Sequence, residues 1–456
     1  MLLSRSLFRT LPLTAAVALA FASGAQAQSL VEMYDAARGY DAGFISAKAQ
    51  FEANLARANQ SLGGILPNIA VSVSQVRTDF QRQSQGTEKT AVTELETKTT
   101  AATLVQPIYR PAAWAAYRQG GRLLQQAAAQ YEAAEHDLLV RVSQAYFDVL
   151  TSEDNLELVQ NQKKAVSEQL ASAQRNFEVG TATITGVRDA QARFDLANAQ
   201  AIAAENELRT KRLALNMVVG LSDAKPKRLA KGTALVESPK EDVNAWVSQA
   251  QTRSPAVRQA ELAVEVADYE MDKATAVHKP TLDVQMTYGR TENLKGTPLA
   301  SLTPPVQLTS PYSTWNPTVG LVLNVPLFAG FSGVYKVKEA IALKDKAQSD
   351  LENARRSTEQ ATRNTYFGLL AGLSQVKAYE AAELSSQSAL DANKLGYSVG
   401  VNINIDVLNS QSQLYQTKRD LAKARYDVLV TNLKLRQAAG TLTPADLQPI
   451  NDLLAP

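Results

Sequence analysis

The chain contains an internal repeat, and the two copies align without a gap when the sequence is shifted by 220 positions. The shift pairs identical or similar residues, namely Tyr146-Phe147 with Tyr366-Phe367, Phe177 with Tyr397, Val179 with Val399, Gly180 with Gly400, Val187 with Val407, Gln191 with Gln411 and Gly220 with Gly440. A repeat fixes the architecture that every other motif has to fit. We therefore predict a first structural repeat over residues 28–240, a second over 241–442, and a C-terminal tail over 443–456.

Two stretches without proline, residues 112–225 and 327–443, can each hold very long helices, because proline is a strong helix breaker. A helix over Ala112–Val179 would contain 68 residues and reach about 100 Å at 1.5 Å per residue. Its second half, from Leu138 to Phe177, places mostly apolar residues alternately four and three positions apart. That spacing predicts left-handed coiled-coil packing. The repeated aromatic-x-Val-Gly element is interpreted as the turn of a helical hairpin, near residue 180 in one copy and near residue 400 in the other.

Four stretches alternate apolar with small or polar residues, as strands with one apolar face do. We predict strands at about residues 67–76, 97–106, 280–289 and 317–326. Four strands cannot close a barrel, and an open edge in lipid would leave N–H and C=O groups without hydrogen bonds. The strands therefore either form a soluble sheet or combine with copies of themselves, and a trimer would supply twelve. Aromatic residues near the strand ends favour the shared barrel; they are Tyr109, Tyr288, Tyr312, Trp315 and Phe328.

The first 27 residues have the features of a secretory signal peptide. Arg5 and Arg9 precede an apolar run from Leu11 to Ala22, and Ala25-Gln-Ala27 comes just before Gln28. The run is too short for a transmembrane anchor, which needs roughly 20 apolar residues. We predict that residues 1–27 are removed and that the mature chain is exported.

Composition excludes several classes of function. Without the two arginines of the predicted signal peptide, 45 basic residues balance 45 acidic residues, so there is no basic surplus to bind nucleic acid. The chain has no cysteine, which rules out disulfides, thiolate catalysis and cysteine-ligated metal. The two histidines, His136 and His278, are too few and too far apart for a zinc site or a catalytic triad. We expect no enzymatic activity and no cofactor.

Specific motifs recur around the predicted turns and helix ends: Phe177-Glu-Val-Gly180, Val325-Pro-Leu-Phe-Ala-Gly330, Gly396-Tyr-Ser-Val-Gly400, Ile405-Asp-Val-Leu408 and Ala439-Gly-Thr-Leu442. On these motifs the mature chain resembles the TolC family of outer-membrane efflux proteins over essentially its whole length. The resemblance implies an α+β membrane protein. In that architecture a trimer builds a 12-stranded β-barrel, with four strands per chain, continued by a long α-helical coiled-coil barrel with a mixed equatorial belt.

The resemblance also implies a function and a set of partners. The chain would be the outer-membrane exit duct of a tripartite efflux pump or a type I secretion system in a Gram-negative bacterium. It would form a homotrimer in outer-membrane lipid, extend into the periplasm, and work with a periplasmic adaptor protein and an inner-membrane transporter of the ABC or RND type. The alternative is a periplasmic coiled-coil scaffold, for which the strands would lie outside the membrane.

In the TolC family, the periplasmic tips are closed by the carboxylates of an Asp-Val-Leu-Asp segment and by links from a tyrosine and a nearby arginine to the facing hairpin. At the matching positions this chain has Tyr397, Asp406, Asn409 for the second carboxylate, Asn402 for the arginine, and Thr185 followed by Gly186 where the family has an aspartate. We hypothesise that Asp406 gives the mouth a cation preference and that closure depends more on coiled-coil packing than on salt links. Alternatively, Asp406 is a solvated residue at the start of a helix.

A docking groove for the adaptor is expected at the same tips. Its predicted residues come from the two turns and the helix that follows the second: Val179, Gly180, Val399, Gly400, Val401 and Val407. This would place the adaptor's own helical hairpin against the tips.

Overall fold

The computed structural model describes residues 27–82, 91–181, 183–230, 238–239, 241–295 and 311–455. The predicted signal peptide therefore lies outside the described residues, apart from Ala27. The chain forms two compact units, and each combines segments from both sequence copies. The strand unit comprises Lys48–Tyr131 and Pro255–Arg356, and the hairpin unit comprises the described part of Met1–Ala47, Glu132–Ser254 and Ser357–Pro456.

The strand unit contains one antiparallel sheet whose four strands lie in sequence order. Its strands are β1 (Asn68–Arg82), β2 (Ala91–Tyr109), β3 (Thr281–Lys295) and β4 (Tyr312–Asn324). The first three extend beyond the predicted ends into polar segments, whereas β4 begins earlier than predicted and ends before Pro326, which has no N–H to donate to a neighbouring strand. Within the described residues, β1 and β4 each pair on one side only, so the sheet has two open edges.

One face of the sheet is apolar and exposed. The register places Ile69 opposite Leu104, and Met286 opposite Val319, so apolar side chains line up across all four strands. The exposed residues of this face include Ile69, Val71, Val73, Met286, Tyr288, Val319, Leu321 and Leu323. The other face carries small and polar residues, such as the row Ser72, Ala101, Gly289 and Asn316. Period-two alternation in the sequence thus produces a sheet with one uncovered apolar face.

Helices make up most of the remaining described chain. Their bounds are α1 Leu30–Tyr40, α2 Ala42–Leu62, α3 Pro111–Glu178, α4 Ile184–Val219, α5 Val243–Arg253, α6 Pro255–Thr275, α7 Ser332–Ser398, α8 Asn404–Ala438 and α9 Gln448–Asn451. The predicted helix over Ala112–Val179 corresponds to α3. It is 68 residues long, as predicted, but starts one position earlier. None of the helices described is both long enough and apolar enough to cross a bilayer.

Asp41 separates α1 from α2 and ties this corner to α3. One of its carboxylate oxygens accepts a hydrogen bond from the Phe44 N–H at 2.7 Å, which caps α2. Both oxygens accept hydrogen bonds from the Arg141 guanidinium of α3, each at 3.0 Å. The bonds from Arg141 hold the pKa of Asp41 below its usual range, so the carboxylate stays charged and paired at neutral pH.

The repeated Tyr-Phe pair occupies matching positions on α3 and α7. In each pair the two rings meet edge to face, with centroids 5.4 Å apart for Tyr146 and Phe147 and 5.7 Å apart for Tyr366 and Phe367. Each tyrosine hydroxyl donates a hydrogen bond to a backbone carbonyl between α4 and α5, Tyr146 at 2.9 Å and Tyr366 at 3.3 Å. The segment between α4 and α5 is therefore attached to both long helices.

The same segment also pairs with both ends of the described chain. The Gln28 N–H donates to the Lys225 carbonyl at 2.7 Å, and the Ala455 N–H donates to the Arg228 carbonyl at 2.7 Å. These short β-bridges join the N-terminal segment, the α4–α5 segment and the C-terminal tail. They form the mixed region where the returning helices α4 and α8 end.

Candidate functional site at the hairpin tips

The two helical hairpins of the hairpin unit end in turns of the same geometry. We refer to α3–α4 as the first hairpin and to α7–α8 as the second hairpin. The turn glycines, Gly180 and Gly400, have φ angles of +77° and +81°, a left-handed conformation that glycine adopts without steric cost. Just after each glycine, a backbone N–H donates at 2.8 Å to a carbonyl of the last helical turn, from Thr181 in one hairpin and Val401 in the other. This arrangement is the Schellman motif, in which two backbone hydrogen bonds close the end of a helix, and it fixes where both turns begin.

The two return helices are capped differently. At the start of α4, the Thr183 hydroxyl accepts a hydrogen bond from the Gly186 N–H at 3.4 Å and lies 2.8 Å from the Thr185 hydroxyl. At the start of α8, Ile403 has no side-chain oxygen, and the Asp406 carboxylate accepts from the Ile403 N–H at 3.3 Å. A carboxylate in the first turn also interacts favourably with the helix dipole. Asp406 therefore has the helix-start role that the sequence offered as its alternative.

Three side-chain hydrogen bonds join the first hairpin to the second hairpin near the turns. They run from Asn176 to the Tyr397 hydroxyl at 3.1 Å, from Gln169 to Asn404, and from Arg193 to Asn409 at 2.8 Å. None of these links is an ion pair, because only Arg193 carries a charge. The tips of one chain are thus connected through amide and hydroxyl groups.

Apolar packing supports these links. Leu408 of α8 is buried in a cluster supplied by the first hairpin, which consists of Val166, Leu170, Ala173 and Ala190. The neighbouring Val407 packs instead inside the second hairpin, with Leu390 and Leu414, and the Tyr397 ring lies against this cluster. Leu408 therefore contributes to packing between the two hairpins, whereas its neighbour Val407 contributes to packing within the second hairpin.

The six predicted gate residues fall into three groups. Tyr397 and Asn409 bond to the first hairpin. The Asn402 side chain donates to Asn393 at 2.8 Å within the second hairpin, and Asp406 caps α8. Thr185 and Gly186 bond to Thr183 in their own hairpin, so the contacts shown for them do not reach the second hairpin within one chain.

Sequence analysis missed Asp189 and Arg193, which belong to the same site. The Arg193 guanidinium lies 3.2 Å from the Asp189 carboxylate and also donates to Asn409. The repeat contained the signal, because the shift of 220 positions pairs Asp189 with Asn409 and Gly186 with Asp406. At these two pairs of equivalent positions, the carboxylate therefore lies at residue 189 in the first copy and at residue 406 in the second.

An open cleft of about 910 Å³ lies between the two turns. Residues from both hairpins line it, among them Asn176, Thr183, Asp189, Tyr397 and Asn402. Val179, Val399 and Val401 project from the turns and are exposed. Of the six residues predicted for the docking groove, Val399 and Gly400 line the cleft, whereas Val407 is only 2% exposed and does not.

The tip has the chemistry of a polar contact region. In the part of the chain that the structure describes, no group of three or more His, Cys, Asp or Glu side chains could hold a metal ion. Its amides, hydroxyls and paired charges can hold two hairpins together, and its carboxylates can attract cations to the cleft.

Comparison with known proteins gives consistent matches along the chain. The family model described as outer membrane efflux protein matches residues 13–221 and 246–441. The outer membrane protein TolC of Vibrio cholerae serotype O1 is 32% identical over 446 residues, which cover 97% of this chain and 98% of that protein. TolC of Escherichia coli K12 is 29% identical over 98% of this chain and 89% of its own length. The alkaline protease secretion protein AprF of Pseudomonas aeruginosa is 28% identical, covering 92% and 86%.

Solved structures show the same fold at lower identity. The outer membrane protein VceC of Vibrio cholerae superposes with a TM-score of 0.76 at 17% identity, over 90% of this chain and 96% of that one. The CmeC outer membrane channel of Campylobacter jejuni gives a TM-score of 0.77 at 16% identity, over 93% and 88%. The arrangement of strands and long hairpins is therefore that of outer-membrane channels.

Proposed function

The chain belongs to the outer membrane efflux protein family, and we propose that it is the exit duct of a tripartite efflux pump or a type I secretion system. In this role it lies in the outer membrane of a Gram-negative bacterium, extends into the periplasm, and provides a passive, gated path to the outside. The observation that carries the proposal is a four-stranded sheet with an exposed apolar face and two open edges, in a chain that also folds long helical hairpins.

The open edges support a homotrimer. In lipid, every unpaired N–H and C=O group of β1 and β4 would lack a hydrogen-bond partner. Pairing β4 of one copy with β1 of the next removes both edges, and three copies supply twelve strands, an allowed size for a closed membrane barrel. Exposed apolar residues on the return helix α4 and on α7 give the same copies further surface to cover; they are Leu196, Ile202, Leu213, Met217, Leu384 and Leu395.

A periplasmic scaffold would account for the hairpins but not for the sheet. In water, the apolar face of β1 and β4 would cost about 25 cal/mol for each Å² left exposed. Large exposed apolar patches mark contact with a membrane or another protein. Relatives named as outer-membrane and protease-secretion proteins further favour the duct.

The gate is proposed to lie at the hairpin tips. Tyr397 accepts a hydrogen bond from the Asn176 amide and Asn409 accepts one from the Arg193 guanidinium, so neither link is an ion pair, and Leu408 adds buried packing. These contacts support a closed state that depends on packing and amide hydrogen bonds. Asp406 is proposed to give the mouth its cation preference in addition to capping α8, because three copies would bring three carboxylates together.

The partners are proposed to be a periplasmic adaptor and an inner-membrane transporter of the ABC or RND type. The adaptor would dock at the tips, where Val399 and Gly400 line the cleft and Val179 and Val401, next to the turn glycines, present exposed apolar side chains. Small residues at the turns leave room for a neighbouring helical hairpin to approach the backbone.

The duct is tested by fractionation and by deletion. We expect the protein in the outer-membrane fraction as a trimer that needs detergent for extraction and resists dissociation on mild heating. Loss of the chain should increase sensitivity to exported drugs or remove a protein from the culture medium, and the wild-type chain should restore the phenotype. A soluble periplasmic protein with neither phenotype would instead be the scaffold.

Substitution of Asp406 separates charge from capping. Asp406→Asn keeps an oxygen that can accept from the Ile403 N–H, whereas Asp406→Ala removes both the acceptor and the charge. If the charge sets selectivity, both variants should lower the cation-to-anion permeability ratio in planar bilayers by a similar factor, about fivefold for roughly 1 kcal/mol of lost attraction. If only Asp406→Ala changes the channel, the carboxylate acts only as a cap.

The link between Asn176 and Tyr397 should hold the tips closed. Tyr397→Phe and Asn176→Ala each remove one hydrogen bond, worth about 1 kcal/mol, and should raise the open-to-closed ratio in single-channel recordings about fivefold. The double variant should open no more than either single variant, since both remove the same bond. Ser398→Ala is the matched control, because the Ser398 hydroxyl bonds to Leu395 within α7. Additive effects would contradict a direct link.

Adaptor docking is tested by single cysteines, because the chain has none of its own. Val399→Cys and Val401→Cys should cross-link to the adaptor in cells, since both positions are exposed at the second turn. Ser385→Cys, a polar position that is also exposed on α7 but about four helical turns from the tip, should not. Cross-links confined to Ser385→Cys would remove the proposed docking site.

A further inference from the structure

The junction between β4 and α7 contains a residue that breaks two local rules. Phe331 has a φ of +64°, and it is the only non-glycine residue with a positive φ in the described part of the chain. A bulky side chain in this region is a true conformational outlier. Phe331 also stands immediately before α7, where its carbonyl accepts from the Tyr335 N–H at 3.2 Å, yet it has no side-chain oxygen to cap the helix.

The first half of the chain shows that this junction does not require such a residue. There β2 leads into α3 through Arg110, whose carbonyl accepts from the Trp114 N–H at 3.1 Å and whose φ is not positive. The Arg110 guanidinium makes two hydrogen bonds of 2.8 Å to Asp283 of β3. The strand-to-helix connection can therefore be made with ordinary backbone geometry, which leaves the strain at Phe331 to be explained by what its side chain does.

The conformation of Phe331 contributes to an exposed aromatic cluster. Leu327 is 93% exposed, Phe328 76% and Phe331 64%. The two phenylalanine rings meet edge to face with centroids 5.4 Å apart and an angle of 88°. In the sequence they closely follow the exposed apolar residues at the end of β4, Leu321 and Leu323.

Basic side chains follow directly on the first turns of α7. Residues 332–339 include Lys336 and Lys338 against one carboxylate, Glu339, and all three are exposed. The Lys338 ammonium lies 5.5 Å from the centroid of the exposed Tyr335 ring. Apolar rings followed by tyrosine and lysine are the side chains that lie at a membrane–water boundary, with rings among the acyl chains and ammonium groups at the headgroups.

We propose that the junction surface, formed by Leu327, Phe328, Phe331, Tyr335, Lys336 and Lys338, binds anionic phospholipid of the membrane in which the sheet lies. Phe328 and Phe331 insert beside the acyl chains, and Lys336 and Lys338 attract the phosphate groups. The position directly after the exposed apolar residues of β4 and the excess of positive charge select lipid as the occupant. The inference rests on the proposed membrane duct, because it needs the sheet to be in a bilayer.

The insertion is tested with nitroxide spin labels on single cysteines in liposomes of phosphatidylethanolamine and phosphatidylglycerol. Accessibility is measured to oxygen, which concentrates in lipid, and to a water-soluble nickel chelate. Phe331→Cys should behave like Leu321→Cys on the sheet face, with oxygen favoured, whereas Phe367→Cys on α7 is the aqueous control, 55% exposed in the chain. A chelate-accessible label at Phe331, or one shielded from both reagents by a neighbouring protein surface, would overturn the anchor while Leu321→Cys still reports lipid. A chelate-accessible label at Leu321 would overturn the membrane duct as well.

The role of the strain is tested with Phe331→Gly. Glycine adopts the observed φ without steric cost, so the purified variant should unfold at the same temperature as the wild type or higher. A label on Ser332→Cys should favour oxygen when residue 331 is phenylalanine, and it should lose that preference when residue 331 is glycine. A marked fall in unfolding temperature would show that the ring is needed for packing. Unchanged lipid contact at Ser332 would show that the ring does not hold the junction in the lipid, and either result would overturn its role as an anchor.

The headgroup contact is tested by counting bound lipids. In native mass spectrometry of the detergent-purified protein, Lys336→Gln and Lys338→Gln should each weaken retention of phosphatidylglycerol about fivefold, from the loss of one basic group near the lipid surface. Retention of phosphatidylethanolamine should change little. Lys346→Gln is the matched control, because Lys346 lies on the same helix and pairs with Asp350 at 2.7 Å. Equal retention of phosphatidylglycerol in all variants would overturn the headgroup site.

Discussion

Unpaired backbone groups at the two edges of the sheet constrain everything else in this protein. A four-stranded sheet cannot satisfy its own edges, and its apolar face is uncovered within the chain. In water both features would favour aggregation, whereas in lipid the apolar face is stable but the edges are not. The proposed association of copies would resolve both problems, because it would pair β1 with β4 while the apolar face remained toward lipid. The fold of one chain is thus only a part of the functional structure.

The contacts at the hairpin tips differ in kind from those of the sheet. Their side-chain hydrogen bonds within one chain join amide, hydroxyl and guanidinium groups, and they are supported by Leu408 in a cluster of side chains from the other hairpin. Each such bond contributes little net free energy in water, so the tips can separate without breaking a buried ion pair. Asp189 pairs with Arg193, which also donates to Asn409 of the second hairpin, and Asp406 caps α8.

The internal repeat gives the two halves a common frame on which they have diverged. Tyr146 and Tyr366 both donate to the backbone between α4 and α5, and Gly180 and Gly400 end their helices with the same motif. The partners around these shared points differ. Phe147 is buried against Tyr426, while its counterpart Phe367 is exposed. The strand-to-helix junctions differ as well, with a paired arginine in one half and a strained phenylalanine in the other.

The sequence by itself determined the long helices, the four strands, the place of both turns and the family, because periodicity, proline and glycine act through local backbone geometry. It also located Tyr397 and Asp406 at the tip. It did not identify Asn176, Gln169 or Arg193 as the residues that join the hairpins, nor the strain at Phe331. Those features arise from contacts between helices that are far apart in the chain, or from a backbone conformation that no propensity of phenylalanine predicts. Only the tertiary structure, which sets the distance between side chains on separate helices, decided them.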